Sequence, residues 1–167
     1  LLTTLSDQTY IGAYVPHNLV LMSDIHRLKY AMYLNNDAYD ALKKMIDAMP
    51  DEIANDFYVK EAYTSFTDLQ YSNPNLAGKD ERQLGHTVSI ASKSIAYQEF
   101  ETSALSQWLE AHSYEYGFIL RYPKRMASST NHVYDAHYYR YVGKKNANKI
   151  YKENSCIEEY NQKEAAE

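Results

Sequence analysis

Cysteine is almost missing from this sequence. Cys156 stands alone in 167 residues, so no internal disulfide can form, which leaves the redox compartment open. An excess of positive charge is missing too. The net charge is -5 and the pI about 5.7, which argues against a nucleic-acid surface. No apolar run reaches the length of a membrane helix, and no secretory signal is visible, although the chain opens at Leu1 rather than Met and a removed signal or anchor is compatible with that. No Gly-rich phosphate loop, thiol pair, internal repeat or low-complexity stretch occurs.

What remains is an ordinary globular composition, 45% hydrophobic and 23% charged, of a length that suits one domain with a full core. Tyrosine is abundant, at 18 residues, and most of these rings are expected in packing, at half-buried positions where an apolar ring carries a polar tip. Residues 1–35 read as an arm, extended around Pro16, that packs on the domain. Asn35, Asn36 and Asp37 offer helix-cap chemistry, and Ala38, Ala41, Leu42, Met45, Ile46 and Met49 form one helical face ended by Pro50.

Strands are predicted at Phe57 to Tyr63, Leu84 to Ser92, Phe118 to Tyr122 and Tyr138 to Val142. Residues 64–82 read as polar connection. Thr102 is expected to cap a helix burying Leu105, Trp108, Leu109 and His112. Ala127 to Thr130 reads as loop, and the tail from Lys144 to about Tyr160 as one helix. Residues 36–155 then form the domain, and 156–167 a helix end expected to fray. Helices and strands mix without regular alternation. The predicted class is α+β, a single domain with a small, mainly antiparallel sheet packed by helices.

The chemistry centres on Asp80-Glu81-Arg82-Gln83-Leu84-Gly85-His86-Thr87-Val88-Ser89. This stretch resembles the Ser-x-His-x-x-Gly-x-Ala-x-Asp motif of the VanY-like zinc D-alanyl-D-alanine carboxypeptidases. Four further stretches resemble the same family in the same order. Tyr33-Leu34 with Ala41-Leu42-Lys43-Lys44-Met45 is similar to its first helix. Glu61-Ala62-Tyr63-Thr64-Ser65-Phe66 stands where the family has Ser-Gly-Tyr-Arg-Ser-Tyr. Trp108-Leu109 and Tyr116-Gly117-Phe118-Ile119-Leu120-Arg121-Tyr122-Pro123-Lys124 form the most specific match. Asp135-Ala136-His137-Tyr138-Tyr139-Arg140-Tyr141-Val142-Gly143 stands where the family has Glu-Pro-Trp-His-x-Arg-Tyr-Val-Gly. The resemblance implies the VanY/Hedgehog-like carboxypeptidase fold and a place in the bacterial cell envelope or surface, outside the cytoplasm.

It also implies what each site position should be. The family's three zinc ligands fall at Arg82, Ser89 and Tyr138, its general base at Asp135, and its carboxylate-gripping Arg at Thr64. Zinc needs imidazole, thiolate or carboxylate ligands, and neutral hydroxyls at Ser89 and Tyr138 are poor ones. Arg82 adds a repulsion of about 8 kcal/mol against a dication at ~4 Å and an effective dielectric near 20. Without zinc, Asp135 has no activated water to deprotonate. Zinc is therefore expected to be absent, and no catalytic residue is expected.

The neighbouring Tyr63, Ser65, Gln83 and His132 are taken as pocket residues. Among the other histidines, His86 and His137 should point away from the site by strand alternation, His112 should pack, and His17 and His26 lie in the arm. An Arg82–Asp135 salt bridge, ringed by Tyr138 and Ser89, is predicted to refill the pocket. The connection from Tyr63 to Arg82 is shorter than the family's, which implies a more open groove. The expected function is a catalytically inactive carboxypeptidase-like protein that binds a protein partner or a peptidoglycan stem peptide. The alternatives are an active zinc D,D-carboxypeptidase with atypical ligands, and a structural module of an envelope or spore assembly.

Overall fold

A computed structural model describes residues 2–167. The arm folds into a two-stranded antiparallel ribbon, β1 (Leu19–Leu21) with β2 (Tyr33–Asn35). Helix α1 (Asn36–Asp47) follows at once, because Asn35 Oδ1 accepts the first free amides, those of Asp37 and Ala38. Its apolar face buries Ala38, Leu42 and Met45 as the spacing predicts. Pro50 does end that helix, but it also opens a second short one, α2 (Asp51–Asp56), because proline suits a helix start as well as a stop.

The main sheet has four antiparallel strands: β3 (Phe57–Glu61), β4 (Thr87–Ser92), β5 (Phe118–Tyr122) and β6 (Asp135–Tyr141), in the order β3-β4-β6-β5. Three predicted strands have shifted bounds. β3 stops at Glu61, two residues short of Tyr63. Leu84 lies in a 3-10 turn before β4, and β6 begins three residues ahead of Tyr138. The polar connection contains α3 (Phe66–Ser72), capped by Ser65. Helix α4 (Ala104–His112) is capped by Ser103 rather than Thr102. His112 is half-exposed and bonded to Glu115 at 2.9 Å, not packed in the core. Ala127–Thr130 is a short helix, α5, and the predicted tail helix is two. Asn154, at φ 48°, breaks it into α6 (Lys144–Lys152) and α7 (Ile157–Ala166). Residues 156–167, expected to fray, bury Ile157 and Tyr160 through α7.

One sheet face, with Phe57, Val59, Val88, Ile90 and Tyr139, packs against α1 and α4 to form the main core. Ile119 and Val142 instead meet α6 and α7 on the other face. These helices cover only part of that face. The uncovered part is where the central motif lies.

Candidate functional site

The floor is set by register. Ser89 pairs with Tyr138 on one side and with Glu61 on the other, and directly paired residues share a sheet face. Glu61 reaches this face through a bulge. Between Val59 and Glu61, β3 has one residue more than β4, so the alternation inverts at Lys60. A second register shift in the β5–β6 pairing places Tyr122 opposite Asp135. Glu61, Arg82, Tyr122, Asp135 and Tyr138 all line one groove of ≈ 940 Å³. The arm supplies a wall, Thr4 to Gln8, and α7 contributes Glu158.

Arg82 is placed by a 3-10 turn, Glu81–Leu84, whose first amide bond is made by Asp80 Oδ1 to Arg82 N at 2.9 Å. Gly85 ends the turn at φ +79°, a conformation that favours glycine, and a Cβ there would crowd Leu19 Cδ2 of the arm at 3.0 Å. The same Asp80 holds the Arg82 side chain: Nε donates to Oδ1 at 3.0 Å and Nη2 to Oδ2 at 2.7 Å. Glu61 Oε2 lies 3.3 Å from Arg82 Nη1.

The predicted Arg82–Asp135 salt bridge does not form. Asp80 is two residues from Arg82 on the same turn and already oriented by its cap, so it binds the fork at little extra entropic cost. Asp135 Oδ1 instead accepts its own neighbour, His137 N, at 2.9 Å. The expected ring of hydroxyls is not made either. Ser89 Oγ is buried without a hydrogen bond of normal geometry, although the Tyr97 hydroxyl is close enough to feel it.

Beside Arg82 lies a largely buried four-charge cluster, two of whose members, Glu81 and Glu158, also line the groove. Glu81 accepts two bonds from Arg121, both at 2.8 Å, and Arg140 Nη1 lies 2.9 Å from Glu81 Oε2. Glu158 of α7 accepts two more from Arg121, at 3.0 and 2.6 Å. Burial pushes the Glu81 carboxyl up, but the Arg121 bonds and the Arg140 charge outweigh it and hold it below the usual range.

The other predicted pocket residues divide. His132 lines the groove, stacked on Tyr122 at 3.9 Å between ring centroids, with Nδ1 2.7 Å from Val133 O. Tyr63, Thr64, Ser65 and Gln83 do not line it. Thr64 Oγ1 donates to Ala62 O, and Ser65 caps α3. Gln83 is fully buried and ties the arm down: Nε2 donates to Gly12 O and Tyr14 O, and Oε1 accepts Gly78 N. His137 does face away, stacked on Tyr97 and Phe100 with Nδ1 2.7 Å from Ile90 O. Sequence reasoning missed Asp80, Glu61 and the arm's wall. Only Asp80 left a signal, as an N-cap residue two positions before Arg82.

These side chains do not suit zinc. Arg82 is fixed on Asp80, and burial and Asp80 push the Tyr138 hydroxyl well up, although Arg82 opposes them, so it stays a neutral phenol. Among the described residues, no three His, Cys, Asp or Glu side chains gather as a metal set.

The family model for VanY, D-alanyl-D-alanine carboxypeptidase, matches residues 57–144. The chain belongs to the VanY D-alanyl-D-alanine carboxypeptidase family. Among curated VanY-like relatives, the putative carboxypeptidase YodJ of Bacillus subtilis is 30% identical over 91% of this chain and 63% of its own length. A D-alanyl-D-alanine carboxypeptidase of Enterococcus faecalis is 34% identical over 73% of this chain and 44% of its own. The chain thus spans under two thirds of either relative. Its fold is also that of solved carboxypeptidases. The LdcB LD-carboxypeptidase superposes with a TM-score of 0.81 at 28% identity, covering 91% of this chain and 80% of that one. A vancomycin resistance D,D-pentapeptidase VanY in complex with Zn(II) gives 0.73 at 25% identity, covering 95% and 97%.

Proposed function

We propose that this VanY-family chain is a catalytically inactive carboxypeptidase-like protein, which binds a peptidoglycan stem peptide or a protein partner through the groove. One observation carries the reading. The position that resembles the family's first zinc ligand is Arg82, and its guanidinium is locked by Asp80 and Glu61 at the groove wall. A permanent positive charge there disfavours a dication, and Ser89 and Tyr138 offer only neutral hydroxyls. Thr64 lacks the paired N–H groups that would grip a terminal carboxylate. The site of action is the cell envelope or surface, as peptidoglycan work in the family supports.

The test is metal analysis of the purified protein after zinc addition, together with D-alanine release from a stem-peptide mimic. Sub-stoichiometric zinc and no release are expected. Tight stoichiometric zinc with release of D-alanine establishes the rival reading, an active peptidase with atypical ligands, which the retained groove and Asp135 favour.

A further inference from the structure

Arg82 and Arg121 each hold a carboxylate on the same edge of the guanidinium. Nε and Nη2 of Arg82 donate to Asp80, and Nε and Nη2 of Arg121 donate to Glu81. Arg140 differs. It is only 3% exposed, and its Nη1 donates to Thr3 O at 2.6 Å and lies 2.9 Å from Glu81 Oε2. Its Nε/Nη2 edge makes no hydrogen bond among the described residues, and Nε is a buried donor without a partner. Thr87, directly opposite on β4, does not supply the acceptor, since its own hydroxyl is unpaired too. A buried guanidinium N–H left unpaired costs free energy, and a ligand atom that pairs with it recovers that cost.

Arg140 lines a second pocket, of ≈ 390 Å³, which shares no lining residue with the groove. Its backbone lies inside the ladder between β4 and β5, so the side chain is what reaches the pocket. No Asp or Glu lines it. Gly143 does, and it is the N-cap of α6, a nine-residue helix whose first amides receive no side-chain cap. A Cβ at Gly143 would meet nothing within 4 Å, so the positive end of this helix faces open space. Leu2, Leu84 and Val142 give the pocket an apolar wall.

We propose that this pocket binds a monocarboxylate with a small apolar body, its two oxygens taken by Nε and Nη2 of Arg140 and its charge facing the start of α6. The planar edge of an arginine matches both oxygens of a carboxylate, as it does at Arg82 and Arg121. A dianion such as phosphate is a poorer match, because Glu81 already takes up part of the Arg140 charge. The site depends on neither reading of the groove.

The experiment is a 1H–15N NMR titration of the whole chain with phenylacetate, against phenylacetamide, which has the same shape without the charge, and against inorganic phosphate at matched ionic strength. Phenylacetate should shift the amide resonances of Thr3, His86 and Gly143 saturably. It should bind at least ~10-fold more tightly than phenylacetamide, the difference one charge-assisted pair makes. Arg140→Lys keeps a positive charge beside Glu81 but lacks the fork, and should weaken phenylacetate severalfold. Equal binding of phenylacetate and phenylacetamide, no saturable shift, or shifts confined to groove residues overturns the proposal. Tighter binding of phosphate than of phenylacetate overturns it too, and so does affinity unchanged in Arg140→Lys. If Arg140→Lys fails to fold, the comparison of phenylacetate with phenylacetamide on the unmodified chain still decides.

Discussion

Glu81 is 5% exposed yet carries a full charge among Arg121, Arg140 and, through Arg121, Glu158. Removing one partner from such a cluster leaves another charge buried and uncompensated. Glu81→Gln should therefore destabilise by about 3–5 kcal/mol, read by urea denaturation. The pH dependence follows from the same residue. Its folded carboxyl is held below the unfolded value of 4.5, so its stabilisation is complete above about pH 4.5 and is lost as pH falls through the folded value. Thermal melts from pH 7 to pH 3 should show that decline, and Glu81→Gln should flatten it. At the site itself, restoring the family's ligand types with Arg82→His, Ser89→Asp and Tyr138→His should raise zinc affinity well above that of the unsubstituted chain. Equilibrium dialysis of both proteins with zinc checks this, and a triple variant that binds zinc no better would count against a scaffold that has kept its geometry.

Elements differ in how plainly the sequence announced them. Helix α1 was legible, with its cap among Asn35, Asn36 and Asp37, because cap chemistry and the apolar stripe act within a few residues of each other, and Asn35 is the residue that caps it. Asn35→Ala should cost about 1 kcal/mol in a denaturation experiment. The strand cores were legible by composition, but the bulge at Lys60 was not, and that bulge delivers Glu61 to the groove. A bulge follows from how two strands fit, which neither states alone. The same limit explains Arg82. Its type and position implied a refilled pocket, yet the choice between Asp80 and Asp135 depended on a 3-10 turn that residue periodicity does not reveal. Gln83 read as a pocket residue because it sits inside the motif. The turn points it to the arm instead, a contact about 70 residues away in sequence.

At the scale of the whole molecule, the family and the α+β class could be read from ordered motifs spread over the chain, and the four-stranded sheet agrees with them. The arm's path across the second sheet face could not, since it is fixed by polar contacts with distant elements. Gln83 holds it at Gly12 and Tyr14, Lys79 meets Asp7 at 2.7 Å, and Arg140 Nη1 donates to Thr3 O at 2.6 Å. Gln83→Ala should leave the Gly12 and Tyr14 carbonyls and the Gly78 amide unsatisfied and cost about 1–3 kcal/mol. Hydrogen exchange should then quicken across residues 9–15 while β4 stays protected.

The arm ends in a clasp. Leu2 N donates to Asn161 Oδ1 at 2.8 Å, and Asn161 Nδ2 donates back to Leu2 O at 2.7 Å. Seen as a mechanical part, this joins the two ends of the described chain through a pair of hydrogen bonds instead of the four-stranded ladder. A force applied between those ends loads the clasp and the Thr3 contact before it loads the sheet. The first segment to peel is then the one that walls the groove, so tension between these residues would widen the groove while the core stays folded.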